Sequence, residues 1–160
     1  LATYWQPYHQ QIRTELDRLK ALHGAVLLWD AHSIASLLPR LFDGRLPDLN
    51  LGTADGRSCA PQLIDAVAGV AAQGPFSHVV NGRFKGGYIT RQYGRPALGQ
   101  QAVQLEMCYR CYMQERPLGE GGYVLDEARA GEVRPLLQLL LQIAVILMML
   151  ILVQRILNKS

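Results

Sequence analysis

A chain of 160 residues that is 49% hydrophobic and 18% charged can bury a core of its own, which excludes a disordered polypeptide. Its net charge of +3 is small and its acidic residues are spread along the chain, which does not point to nucleic acid, for which a concentrated basic face is expected. Three cysteines make no even disulfide set, and the first eleven residues hold no apolar signal-type stretch; both point to a reducing cytoplasm.

Residues 7–23 carry Tyr8, Ile12, Leu16, Leu19 and Leu22 at helical spacing, and Gly24 is placed to end the helix in a left-handed cap. Residues 25–29 are apolar after a glycine and predict a buried strand, and a helix feeding a buried strand predicts a layered α/β fold. Residues 33–58, punctuated by Pro39, Gly44, Pro47, Gly52 and Gly56, read mostly as loop. Residues 61–72 predict a second helix, with Pro61 suited to its first turn and Leu63, Ala66, Val67 and Val70 on one face. Strands follow at 76–80 and 102–107. Between them lies a basic glycine loop, read as a hairpin through Gly86-Gly87 with Tyr88-Ile89-Thr90 as its return strand.

A final helix is predicted over 126–141, with Val133, Leu136, Leu137 and Leu140 inward and with Gly131 and Pro135 working against it. Residues 136–153 are apolar except for Gln138 and Gln142, and Arg155 and Lys159 follow. That length and flanking charge suit a membrane span; a buried helix with an apolar extension is the alternative. The chain therefore divides into one domain at 1–141 and an apolar C-terminal extension at 142–160.

Three groups of residues can carry chemistry. Asp30 and His32 stand two apart near the end of the first strand, so their side chains share a face and the carboxylate can orient a metal-ligating imidazole. The alternative is a histidine hydrogen-bonded at a strand end. Glu106 closes a short apolar strand; burial there raises a carboxyl group toward a general base, whereas exposure leaves an ordinary glutamate. Arg83, Lys85, Arg91 and Arg95 crowd the glycine loop, which suits an acidic substrate or simply a solvated hairpin. A metal-bound imidazole, a general base and a cationic clamp are the parts of a metal-dependent amide hydrolase. The single Cys108-Tyr109-Arg110-Cys111 pair completes no four-ligand zinc site, and its cysteines read as packing residues.

Taken in order, Tyr4-Trp5-Gln6-Pro7-Tyr8-His9, Leu28-Trp29-Asp30-Ala31-His32-Ser33, Pro47-Asp48-Leu49-Asn50-Leu51-Gly52-Thr53, Asn81-Gly82-Arg83-Phe84-Lys85-Gly86-Gly87-Tyr88-Ile89-Thr90-Arg91 and Gln104-Leu105-Glu106 resemble the N-formylglutamate amidohydrolase family, the zinc-dependent deformylases of histidine breakdown. The likeness runs from about residue 4 to about residue 140. It implies a three-layer α/β/α fold with a mixed sheet, related to zinc exopeptidases. It implies zinc on His32, Glu106 as the base that activates zinc-bound water, and Asn81, Arg83 and Arg91 around the substrate carboxylates. The implied reaction is hydrolysis of N-formyl-L-glutamate to formate and L-glutamate. Hydrolysis of another N-acyl acidic amino acid and a non-catalytic, membrane-tethered remnant are the alternatives.

Two departures stand out. The Pro-His-Ser-Gly element and the acidic residue that supply the family's other zinc ligands are absent. The expectation is therefore a C-terminal portion whose remaining ligands lie upstream of Leu1, inactive alone and exposing sheet edge and apolar surface. Ala60 stands where the family has an acidic residue, which predicts a weak cap on the second helix.

Overall fold

The computed structural model describes residues 2–116 and 122–158. A mixed four-stranded sheet runs in the order β1 (Val26–Ile34), β4 (Gln100–Cys108), β2 (Leu49–Gly52), β3 (His78–Val80). The β1–β4 and β2–β3 pairs are parallel, and β2–β4 is antiparallel. A small antiparallel pair, β5 (Met113–Gln114) with β6 (Val124–Leu125), lies outside this sheet.

Helices cover both faces. On one, α1 (Trp5–His23) and α3 (Tyr88–Tyr93) bring Leu16 and Tyr93 against Val26, with Ile12, Leu19, Leu28 and Ile89 around them. On the other, α2 (Pro61–Ala71) and α4 (Glu127–Leu157) pack Leu63, Val67, Leu136 and Leu140 onto Leu49, Leu51, Val103 and Leu105. The alternation of side chains along β1 and β4 decides which layer each residue meets. The predicted mixed sheet between helical layers is the architecture observed.

Several expected boundaries move. The first helix begins at Trp5, and its buried stripe is His9 and Leu16 flanked by Ile12 and Leu19, while Tyr8 and Leu22 face solvent. The first strand extends to Ile34, because β4 pairs with it over its whole length; Asp30 and His32 thus lie inside a strand. The region read as loop contains β2, a central strand whose Leu49, Asn50 and Leu51 are all buried. Its apolar-polar-apolar alternation spans only three residues between Pro47 and Gly52, too few to mark a strand, and Asn50 is buried with its Nδ2 donating to the Pro47 and Glu106 carbonyls. The strand expected at 76–80 begins at His78.

The expected return strand at Tyr88-Ile89-Thr90 is instead the helix α3. Gly86 has φ +105° and any Cβ there would meet the Thr90 side chain at 2.8 Å, so the glycine turns the chain into a helix rather than a hairpin. The final helix does not stop at 141: α4 runs 31 residues through Gly131 and Pro135. Pro135 forgoes one hydrogen bond, and the carbonyl its ring crowds belongs to Gly131, the residue type best able to tilt. As expected, Ala60 gives α2 no side-chain cap. Its N–H donates instead to Gln101 Oε1 at 2.7 Å.

One side of α4 is core: Ala130, Val133, Leu136, Leu140, Ala144 and Met148 are buried. The other side leaves Val145, Met149, Leu150 and Val153 more than half exposed. By length and composition this helix suffices to cross a membrane, with 22% of its apolar window buried inside the molecule. Lys159, read as a flanking charge, lies outside the described residues. Within the sheet β1 is an edge strand. An apolar groove of about 550 Å³ wraps around it, lined by residues that include Leu19, Leu27, Trp29, Val145 and Met149.

Candidate active site

Parallel pairing of β1 with β4 sets His32 opposite Glu106 and Asp30 opposite Gln104. With a side-chain period of two, these four groups project from one face of the sheet. They line a cavity of about 330 Å³ whose other walls are Trp5 and His9 of α1 and Gly87, Tyr88 and Ile89 at the start of α3. The spacing seen in the sequence thus becomes a site because two strands, 74 residues apart in register, lie side by side.

Asp30 Oδ1 lies 2.9 Å from His32 Nε2, with the Asp30 side chain 12% exposed and that of His32 48% exposed. When Nε2 carries the proton and donates to Asp30, Nδ1 is left as the lone-pair nitrogen. Glu106 is 9% exposed. Burial pushes its carboxyl group above the usual carboxylate range; His32 pulls it back and Asp30 pushes it further up. A raised carboxyl group in a cleft beside a histidine and an aspartate is a candidate for proton transfer.

The residues around this core are held in place. Gln104 Oε1 accepts from the Gly87 N–H at 2.7 Å, tying the glycine loop to β4 and leaving its NH₂ as the donor. His9 is 4% exposed, with its ring 4.3 Å from that of Trp5 and 4.9 Å from that of Tyr88. Its Nδ1 lies 2.7 Å from the Tyr93 oxygen, and the Tyr93 hydroxyl reaches the His9 carbonyl at 3.2 Å. One proton arrangement satisfies both contacts: Nδ1–H donates to Tyr93, Tyr93 donates to the carbonyl, and His9 Nε2 is the acceptor.

Trp5, His9, Tyr88 and Gln104 were missed in the sequence. Gln104 was detectable, since it stands two residues before Glu106 on the same strand face. Trp5 and His9 stand four apart and extend the Ile12, Leu16 and Leu19 stripe, which identifies the true inward face of α1.

The cationic loop residues lie elsewhere. Arg83 donates through Nη2 to the Leu41 carbonyl at 2.7 Å, and Arg91 through Nη1 to the Gly86 carbonyl at 2.9 Å. Lys85 pairs with Asp55 at 3.0 Å. Arg91 lines a separate cavity of about 160 Å³ with Arg57 and Ser58. Asn81, at φ +53°, accepts from the Thr53 N–H and donates from Nδ2 to the Thr53 hydroxyl, both at 2.8 Å. Asn81, Arg83 and Arg91 therefore secure the loop that carries Gly87, Tyr88 and Ile89 into the cavity, without lining that cavity themselves.

All three cysteines are free and buried, in keeping with a packing role. Burial pushes the Cys59 thiol up to about 12 and the Cys108 thiol to about 11, and raises Cys111 as well. Thiols so raised are poor nucleophiles and poor metal ligands.

Among the described residues, no group of three or more His, Cys, Asp or Glu side chains is arranged to hold a metal ion. His32 offers one imidazole already partnered by Asp30, whereas a catalytic zinc takes three protein ligands. The described residues alone do not fit a complete zinc site.

A model of the N-formylglutamate amidohydrolase family matches residues 1–113. An N-formylglutamate deformylase of Pseudomonas putida is 57% identical over 116 residues, covering 72% of this chain and 43% of the relative. One from Pseudomonas aeruginosa is 54% identical over 143 residues, covering 88% and 53%. The crystal structure of N-formylglutamate amidohydrolase from Ralstonia eutropha JMP134 superposes with a TM-score of 0.74 at 30% identity, covering 88% of this chain and 50% of that one. The chain spans about half the length of the relatives it matches. With the match to the family model covering well over half of its residues, the chain belongs to the N-formylglutamate amidohydrolase family.

Proposed function

We propose that this chain carries the proton-transfer portion of a hydrolase that cleaves N-formyl-L-glutamate to formate and L-glutamate. The observation that carries the reading is the buried Glu106 set in register beside His32, itself hydrogen-bonded to Asp30, in one cavity. Glu106 takes the proton of the attacking water and returns it to the leaving amine. Asp30 fixes the tautomer and direction of His32. Gln104 and the Gly87 N–H keep the α3 wall against β4. His32, held by Asp30, is the described residue that would serve as one zinc ligand. The same reading places the reaction in cytoplasmic histidine breakdown, in keeping with three unpaired thiols.

The test is formate release from N-formyl-L-glutamate. The chain is assayed alone and in place of the corresponding segment of the P. putida deformylase. We expect release by the chimera and a drop of about a hundredfold or more with Glu106→Gln, the usual scale for a lost general base. Undiminished rates in that variant remove Glu106 from the base role, and an inactive chimera with native-like folding overturns the reading. N-acetyl-L-glutamate as a parallel substrate decides between formyl and other acyl groups.

A second reading, a non-catalytic membrane-tethered protein, is favoured by the exposed apolar side of α4. Carbonate-resistant recovery in the membrane fraction supports it. Recovery wholly in the soluble fraction overturns it.

A further inference from the structure

A second cavity, of about 600 Å³, lies beyond the ends of β1 and β4 and is lined by Arg45, Arg110, Arg116 and Arg129 together with Glu115 and Tyr123 among others. We propose that it is a binding site for a small dianion bearing carboxylate or phosphate groups, distinct from the Glu106 cavity. The two cavities share no lining residue.

Charge balance carries the argument. Four guanidinium groups and one carboxylate line the cavity, and that carboxylate, Glu115, makes its close hydrogen bonds to Ser36 and to the Arg110 backbone. Its Oε1 accepts from the N–H groups of Ser36 at 2.7 Å and Arg110 at 3.2 Å, and its Oε2 from the Ser36 hydroxyl at 2.5 Å. Arg110 Nε lies 2.8 Å from Asp48, and Arg129 Nε 3.6 Å from Asp126. Among the described residues Arg45 and Arg116 have no carboxylate partner. Their own hydrogen bonds run to neutral groups, Ser36 Oγ for Arg45 and Gln114 Oε1 for Arg116. The two guanidinium forks without a carboxylate partner among the described residues are thus open to an anion, and guanidinium binds the oxygens of carboxylate or phosphate two at a time.

The site is also braced. Ser36 is fully buried, and its clasp on Glu115 joins the segment after β1 to the end of β5. Arg129 Nη1 donates to the Arg110 carbonyl at 3.1 Å, fixing the start of α4 against the turn after β4. Tyr123 packs on Tyr109 with ring centroids 4.9 Å apart. A cavity of this size suits a small metabolite. The glycine loop, the cationic clamp suggested by the sequence, has its Arg83 and Arg91 tied to backbone carbonyls.

The experiment is isothermal titration calorimetry of the full chain at low salt, with sodium phosphate and with glutarate as separate probes. Saturable one-to-one binding of at least one probe is expected. Arg45→Gln with Arg116→Gln should weaken it at least tenfold, the scale of losing charge-assisted hydrogen bonds. Both residues are exposed, so the variants should keep the wild-type circular dichroism. Arg18→Gln, on the outer side of α1, should bind as wild type. Tighter phosphate points to a phosphate-bearing ligand, and tighter glutarate to a dicarboxylate. Absence of saturable binding by either probe, or undiminished affinity in the double variant, overturns the proposal. So does loss of binding in Glu106→Gln, which would place the anion in the other cavity. Because binding is read without turnover, this outcome is independent of the hydrolase assignment.

Discussion

Leu139 and Leu140 are neighbours on α4, and the structure gives them opposite fates. Leu140 is 0% exposed within the α2–α4–sheet core, while Leu139 is 52% exposed. Truncating Leu140 to Ala removes buried groups worth about 0.8 kcal/mol per methylene. The unfilled space raises the total to about 3–4 kcal/mol. The same change at Leu139 removes half-hydrated surface and leaves no cavity, so about 1 kcal/mol is expected, partly offset by alanine's helix preference. Urea unfolding of the full chain, followed by far-ultraviolet circular dichroism, measures both. For a domain of this size the Leu140→Ala melting point should fall by about 10 °C. The comparison also tests how α4 is used. A helix surrounded by lipid would lose similar contacts at both positions, so equal costs for Leu139→Ala and Leu140→Ala would refute the packing argument.

Other outcomes follow from the site. Burial raises the Glu106 carboxyl group in the folded state, so the stability this shift contributes is full at low pH, where folded and unfolded chains are both protonated there. It is lost as pH rises through the folded value. Glu106→Gln should therefore match the wild type in acid and exceed it in stability at neutral pH; urea titrations at the two pH values that show no such divergence would contradict the assignment. Purified chain dialysed against metal-free buffer should hold well under one zinc per molecule by elemental analysis, because His32 lacks a set of co-ligands among the described residues. A stoichiometric ion surviving dialysis would overturn that. Asn81→Ala should cost about 2 kcal/mol, from two lost hydrogen bonds and a left-handed backbone no longer eased by asparagine. A loss below 0.5 kcal/mol in thermal unfolding would show that the Thr53 clasp does not hold the loop.

The sequence by itself determined the features that depend on local pattern. The Ile12, Leu16 and Leu19 part of the α1 stripe, the glycine that ends that helix and the proline that opens α2 follow from spacing and backbone chemistry alone, whereas Tyr8 and Leu22 of the expected stripe face solvent. Asp30 with His32 could be seen as a pair, because residues two apart in a strand must share a face. Tertiary structure decided whatever required knowing a neighbour. Leu49-Asn50-Leu51 alternates over three residues only, between Pro47 and Gly52, yet it is a central strand because β4 and β3 flank it. No local rule gave the register that sets Glu106 beside His32, since the two strands are far apart in the chain. The arginines divided in the same way. Composition singled out Arg83 and Arg91 because they crowd one loop, but packing turned them onto backbone carbonyls. Arg45, Arg110, Arg116 and Arg129, scattered along the chain, came to line one cavity. Local interactions act over a few residues and can be read in order. Burial, register and charge balance arise only when distant segments meet.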